Sequence, residues 1–470
     1  MTRVLGIDIG VSGVRATVVD DRGTRLGTGR TRCSHAAIGG VAEHDARAWL
    51  DEAGASAREA VAEADVAGVD AIAVGALGPA PVLLDRDLEP LLPAPLFSLD
   101  RRAERHRQAH VATGVDVGPD HVRPRLLAWQ ETRPDALRRA AWTVDATGYV
   151  VGSLVGRPVM DRVTAGDHEL VGSPPPVPMP EPEEPLALAG PLTEERADLL
   201  GVGAGTPVAV GTYDTFVDVA ALPSGPGDVA ILLGSTLIVG AAIDDPDVVV
   251  PGGLRSCPHV GSGIFVGGWT ATAGSALEWS ERTFGGSDPA ATMSDAAALE
   301  PGGDGLLTFP ALAGERGPVW DPLARGVVVG LTTSSDAAAI VRSVLDGVAL
   351  STLDLVERLR PLIPGEPRVW VAGGGVRNAA WLQATADALG VPVHAAPDLV
   401  DAGAAARFAL RVVGVEPTPL RTVTIEPDLA RHARYLELLS IHRGVYAATA
   451  DVMHRLGAFA EREAEREGGR

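Results

Sequence analysis

The 470-residue chain contains no lysine: all 40 of its basic residues are arginine. A Walker A loop, the strand lysine of protein kinases and any Schiff-base mechanism each need a lysine amine, so all three are excluded. A GC-rich coding bias accounts for the arginine usage. Cysteine is nearly absent. The two present, Cys33 and Cys257, lie far apart, as free thiols of a reducing compartment do, and no disulfide framework is expected. Long hydrophobic runs are missing too. The longest uncharged apolar stretches, near residues 71–84 and 229–243, are short and broken by glycine or proline, so no membrane span is expected. The opening MTRVLGIDIG enters a strand-like run at once; no signal peptide is read there, and a cytoplasmic location is expected. Positive charge is in deficit. The formal net charge is −21, which repels nucleic acid and anionic membranes, so neither is expected as a partner. An anionic ligand must be held locally, by backbone N–H groups, helix N-termini or a bound cation.

What is present describes a folded globular chain, with 46% apolar and 21% charged residues, and the length favours two large domains. Residues 4–9 read as an apolar strand, followed by a glycine turn and a second strand at 14–20. A similar unit returns at mid-chain: strand 228–233, a tight turn at Gly234-Ser235-Thr236, and strand 237–243. Each half continues with alternating helical and strand signals: helix 46–64 and strand 69–74, then helix 337–359, strand 369–372, helix 378–389 and strand 391–395. This alternation predicts an α/β architecture in both lobes. Residues 173–185 are too rich in proline for a helix or central strand. A boundary near 224–227 divides the chain into lobes 1–224 and 225–470, and 431–468 reads as helix with a charged, frayed tail.

Several positions carry candidate chemistry. Asp8 ends an apolar strand just before a glycine turn, a place that suits a metal or phosphate but also an ordinary β-turn. Gly10 and Gly13 let backbone approach an anion closely. The turn at Gly234 and Thr236 offers backbone donors and hydroxyls, so two such turns, one per half, can grip a polyphosphate. Asp214 stands between an apolar strand and an apolar helix; there a carboxylate stays ionised, whether as a base or as a helix cap. Asp218, one turn on, is expected to be structural. Gly373, Gly374 and Gly375 lie between strand and helix and make a flat floor for a base. His106 and His110 are four apart without the glutamate of a zinc protease, and they read, like the arginines from Arg101 to Arg107, as a solvated helix face.

These features together resemble the FGGY family of carbohydrate kinases. The most specific stretch runs from Gly314-Glu315-Arg316-Gly317-Pro318 through Trp320-Asp321-Pro322, Arg325-Gly326 and Arg342 to Asp346-Gly347. It continues with Gly373-Gly374-Gly375-Val376-Arg377-Asn378, Trp381, Gln383, Asp387 and Gly403-Ala404-Ala405. In the first half Glu43-His44-Asp45, Trp49, Asp85, Asp100 and Arg102 look like the family's markers. The resemblance implies a duplicated actin/hexokinase-like (ribonuclease H-like) α/β fold of two lobes around a cleft, with ATP and Mg²⁺ as cofactors. It implies Asp214 as the base that takes the proton of the acceptor hydroxyl, and Asp8 as the metal residue, acting through water. Gly10, Ser12, Gly234 and Thr236 would sit at the phosphates, and Gly374, Gly375 and Asn378 at the adenine. Leu77, Gly78, Pro79, Asp100 and Tyr213 would line the pocket of a small sugar or polyol, and the family suggests a homodimer.

Departures bear on the substrate. Val11 and Ser12 stand where the family usually has threonines. Leu77, Gly78, Pro79 and Ala80 replace the Gln-Met-His-Gly of xylulokinase-like enzymes, and Ser98 replaces a tryptophan. Three readings therefore stay open: a kinase of a ketose such as a pentulose, or of a polyol; a degenerate kinase acting as a sugar- or nucleotide-binding regulatory module; and an ATPase of the same fold without a sugar.

Overall fold

The computed structural model describes residues 2–33, 36–38, 41–96, 100, 102–112, 121–168, 176–261 and 263–468. Ser98, Arg101 and residues 173–175 fall outside them. Two compact units form: residues 1–223 with 257–263 and 398–420, and residues 224–256 with 264–397 and 421–470. The sequence-based division gives each lobe one unbroken stretch; in the structure the chain returns twice to the first unit.

The first unit is built on a seven-stranded sheet. Arg3–Ile9 (β1), Gly13–Asp20 (β2) and Arg25–Arg32 (β3) form an antiparallel meander, and Ala71–Ala76 (β4) lies parallel to β1 on its other side. Leu188–Pro191 (β5) and Pro207–Ala209 (β6) extend the sheet past β4, while Thr212–Tyr213 (β7) pairs with the end of β4. Strand periodicity sorts the two faces. Leu5, Ile7, Ile9, Ile72, Val74 and Ala76 enter one core with residues of helix Ala46–Ala64 (α1). That helix rests directly on β3: a Cβ at Gly27 or Gly29 would lie 2.2 Å from the Ala60 carbonyl oxygen or 2.0 Å from that of Ser56. The alternate positions, Gly6, Asp8, Ala73 and Gly75, belong to the opposite face. Helices Ala146–Val155 (α2) and Asp214–Ala221 (α3) complete the part of this unit that concerns the site.

The second unit repeats the plan. Its strands are Val229–Leu233 (β8), Leu237–Ile243 (β9), Arg255–Pro258 (β10), Ile264–Trp269 (β11), Val369–Ala372 (β12), Val393–Ala395 (β13) and Val423–Ile425 (β14). They run in the order β10-β11-β9-β8-β12-β13-β14. Here β8, β9 and β11 form an antiparallel meander and β12 and β13 follow in parallel beside β8. The order β3-β2-β1-β4-β6 in one unit thus recurs as β11-β9-β8-β12-β13 in the other, with the same strand directions. The weak duplication legible in the sequence is a duplication of topology.

Helices Gly274–Phe284 (α4), Ala337–Leu359 (α5) and Ala379–Leu389 (α6) pack in the second unit. Nearly all of α5 is buried, including Arg342 and Asp346, which pair at 2.9 Å. The chain then returns to the first unit as Ala404–Val412 (α7), whose residues from Ala404 to Leu410 are all buried. It lies on β1, where a Cβ at Gly6 would fall 1.9 Å from the Ala406 nitrogen; only glycine admits a helix that close. The last helix, Leu429–Gly468 (α8), is fixed to α5 by Tyr435, which donates to Asp346 at 2.8 Å, and by Arg443, which donates to Asp354 at 2.7 Å.

Candidate active site

Three carboxylates gather on the face of the first sheet opposite α1. Asp8 is on β1, in register with Arg15 of β2 on one side and Gly75 of β4 on the other. Gly75 in turn pairs with Thr212 of β7, and a Cβ there would lie 3.4 Å from the Asp214 Cα and 3.0 Å from Val217. A side chain at position 75 would therefore push α3 away from the sheet. Asp214 is the first residue of α3, and Tyr213, not Asp214, occupies the cap position. Its Oδ1 accepts from the Thr215 N–H at 2.6 Å and from the Thr215 hydroxyl at 3.2 Å; Oδ2 has no hydrogen-bond partner among the described residues and the residue is half-buried. Asp218 follows at i+4, which places it on the same helix face.

Their proton affinities reflect this crowding. Burial pushes Asp214 up to about 7, the Asp8 charge adds to the rise, and the two Thr215 hydrogen bonds oppose it. Asp8 is raised by burial and held back by Arg15. Asp218 is raised well above the usual carboxylate range by burial, then by Asp8 and Asp214, again opposed by Arg15. Asp218, read from sequence as structural, stands within electrostatic reach of both candidate residues. A group near neutrality with one free oxygen can accept a proton from an alcohol. The donor chemistry also bears on Mg²⁺. Among the described residues no group of three or more His, Cys, Asp or Glu side chains is placed to hold an ion by itself. Two crowded carboxylates supply the hard oxygens that Mg²⁺ takes through its own waters, which fits a hydrated ion arriving with phosphates and does not fit a protein cage.

The candidate acceptor residues separate into two groups. Gly78 packs on Tyr213 so tightly that a Cβ would lie 1.9 Å from the ring, and Pro79 is buried beside it. The Tyr213 hydroxyl donates to Asp145 at 3.2 Å; burial, then Asp145, Asp167 and Asp161, keeps it protonated far above the usual tyrosine range. Leu77 and Asp100 differ. The Leu77 side chain belongs to the core beneath the sheet. Asp100 accepts from Arg102 at 2.7 Å and from the Ala42 N–H at 3.1 Å, and Arg102 also pairs with Glu43. Its oxygens are committed to an internal ion pair, and the Glu43, Asp100 and Arg102 markers form one structural unit. His106 likewise lies 3.6 Å from Glu131 and is not on an open helix face.

The two glycine turns are differently built. In the first, the Gly10 N–H donates to Gly13 at 3.0 Å and Ser12 is exposed. In the second, the Gly234 N–H donates to Thr236 at 3.0 Å, and the N–H groups of Ala273 and Gly274 at the start of α4 bind the carbonyls of Ser235 and Gly234. Buried Glu315 fixes the approach to α4 by accepting from the Ala271 and Arg316 N–H groups at 3.0 and 2.8 Å; burial raises it to about 7. The second unit also holds a pocket of about 1040 Å³ lined by Gly374, Arg377, Asn378, Gln383, Ser287 and Met293 among others. Gly374 faces open space, as a base-binding floor requires, and Asn378 both lines the pocket and caps α6 through the Trp381 N–H at 3.0 Å. Gly375 is packed: a Cβ there would fall 2.6 Å from Leu233 and from the Trp381 ring.

Comparison with known proteins decides the family. The N-terminal domain of the FGGY family of carbohydrate kinases matches residues 3–166, and the C-terminal domain matches residues 229–407. The chain belongs to the FGGY family of carbohydrate kinases. Among its relatives, a glycerol kinase from Geobacter sp. (strain M21) is 28% identical over 440 residues, covering 84% of this chain and 86% of that protein. A gluconokinase from Bacillus subtilis (strain 168) is 25% identical over 351 residues, covering 65% and 67%. A crystal structure of xylulose kinase from Rhodospirillum rubrum superposes with a TM-score of 0.80 at 26% identity, over 96% of this chain and 100% of that one. This FGGY kinase therefore has the family's two-domain actin/hexokinase-like α/β fold, and it is a carbohydrate kinase that phosphorylates a sugar or polyol with ATP as donor. Sequence reading passed over Asp145, Asp161, Asp167 and His168 in this FGGY kinase. Their clustering behind Tyr213 depends on pairings of up to 68 residues' separation, which no local pattern signals. Asp218 was findable, because two carboxylates at i and i+4 share a helix face.

Proposed function

We propose that this kinase transfers the γ-phosphate of ATP to a hydroxyl of a small sugar, a ketose such as a pentulose, or of a polyol, with Asp214 as general base. The observation that carries this reading is Asp214 itself: a half-buried carboxylate at a helix start, beside Asp8, with Oδ2 free and a pKa near 7. Asp214 Oδ2 takes the acceptor's proton as that oxygen bonds to the γ-phosphorus, and the bond to the bridging oxygen of ADP breaks. Tyr213 and Gly78–Pro79 bound the acceptor. Gly10, Ser12, Gly234 and Thr236 serve the phosphates, and Gly374 and Asn378 the adenine. Mg²⁺, held through water by Asp8, would neutralise charge on the phosphates. The Asp8 charge, itself tempered by Arg15, raises the proton affinity of Asp214.

The apolar Leu77–Ala80 stretch and the range of relatives leave a panel of acceptors as the direct test. ADP release is measured with pentuloses, hexuloses, polyols and aldonates. Stimulation by a ketose or polyol, lost about 10³-fold in Asp214→Asn while ATP binding persists, is the expected result. ATP binding without stimulation by any acceptor would instead identify a binding module.

A further inference from the structure

We propose that Asp145 is a positioning residue for the acceptor side of this site, tying the Tyr213 hydroxyl and the Gly78–Pro79–Ala80 turn to one another beside Asp214. The assignment rests on the kinase reading above. Asp145 precedes α2, and its Oδ1 accepts from the Ala146 N–H at 2.9 Å, as a helix cap does. A cap needs no more than that one backbone partner, which serine or threonine supplies equally well. Asp145 does more with both oxygens. The same Oδ1 accepts from the Ala80 N–H at 2.9 Å, 65 residues away in sequence. Oδ2 accepts from the Tyr213 hydroxyl at 3.2 Å, 68 residues away, and lies 3.4 Å from His168 Nε2; the same hydroxyl also hydrogen-bonds Asp167.

The carboxylate is fully buried, so each of these bonds acts at low dielectric and none is replaced by water when lost. His168 is equally buried, and its Nδ1 has no partner among the described residues, so Asp145 is what orients that ring. The adjoining backbone is held from the same side: the Thr147 hydroxyl donates to the Thr212 carbonyl at 3.0 Å, and the Thr212 hydroxyl to Asp161 at 2.9 Å. Tyr213 is covalently next to Asp214 and cannot move without moving it. Gly78, pressed on the ring face, turns the same contact into a wall of fixed shape. A base misplaced by about 1 Å loses about 10²-fold in rate, so the bonds that fix Tyr213 act on catalysis without touching the reacting atoms.

The test is a double-mutant cycle of Asp145→Asn and Tyr213→Phe, read with an accepted substrate. Each single change is expected to lower acceptor-dependent kcat/KM by about 10- to 100-fold, with the KM for ATP unchanged. The double variant is expected to be no worse than the poorer single one, because both remove one link. Losses that multiply, or a matching rise in the KM for ATP, overturn the assignment. Tyr213→Phe keeps the ring on Gly78; should Asp145→Asn fail to fold, wild-type acceptor kinetics in Tyr213→Phe alone also overturn it. A wild-type protein inert to every acceptor overturns the kinase reading itself, a separate outcome.

Discussion

At the scale of single residues, Asp214 must be ionised to accept a proton, yet burial and the nearby Asp8 charge hold it near pH 7. At saturating ATP, kcat/KM for the acceptor should therefore rise with pH through a limb near 7 and level off above it. The same residue carries a stability signature of opposite sense. Its folded pKa lies above the ordinary 3.8, so the folded state binds the proton more tightly than the unfolded one. Stability contributed by this group is present below about pH 4 and is lost as pH rises toward about 7. Asp214→Asn removes the ionisation. It should melt a few degrees above wild type at pH 8 and converge with it at pH 4, as thermal unfolding at the two pH values would record. A melting difference that does not change with pH would mean that Asp214 is not a strained base.

At the scale of elements, the glycine run between β12 and α6 divides its labour. Gly374 faces open space in the pocket, whereas Gly375 is wedged between Leu233 and Trp381. Gly374→Ala should keep the wild-type melting temperature and weaken nucleotide binding about tenfold, or ~1.4 kcal/mol. Gly375→Ala must displace Leu233 or Trp381 and should destabilise by about 1–3 kcal/mol. Fluorescent-nucleotide titration and thermal unfolding of both variants separate the roles. The run as a whole was legible, because a strand, three glycines and a helix start follow one another in the chain; which glycine packs and which faces the pocket depends on Trp381 and Leu233 and was not. The hairpins β1–β2 and β8–β9 were legible for a similar reason, each being two apolar runs around a short turn. Asp100 looked like an acceptor ligand because the Ala42 N–H it accepts from, and the Glu43 that shares Arg102 with it, lie far upstream, and a carboxylate's pairing is invisible until the strands meet. The helix α7 was the hardest to place. In the sequence it showed only as the Gly403-Ala404-Ala405 marker, and no local pattern says which sheet such a segment covers.

At the scale of the whole molecule, that return makes the first unit depend on residues made near the end of the chain. Without 398–420, the face of β1 and β4 that carries Gly6 and Ala73 loses the cover that α7 gives it. Small residues there cannot substitute for it, since they are what lets α7 sit against the strand. Phe408 and Leu410 are buried in the helix, and removing such side chains from their packing forfeits about 1.5–3 kcal/mol each, a large part of a domain's net stability of about 5–15 kcal/mol. The α3 end would also lose the Arg411 hydrogen bond to the Ala220 carbonyl, next to the helix that carries Asp214 and Asp218. A fragment of residues 1–223 should therefore bind hydrophobic dye and unfold without a cooperative transition. The same fragment joined through a flexible linker to residues 398–420 should regain a cooperative melt. Gly6→Ala in the linked fragment should abolish the gain, because its Cβ meets backbone at Ala406 and no side-chain rotation relieves that. Cooperative folding of 1–223 alone would show instead that α7 covers a face already stable without it.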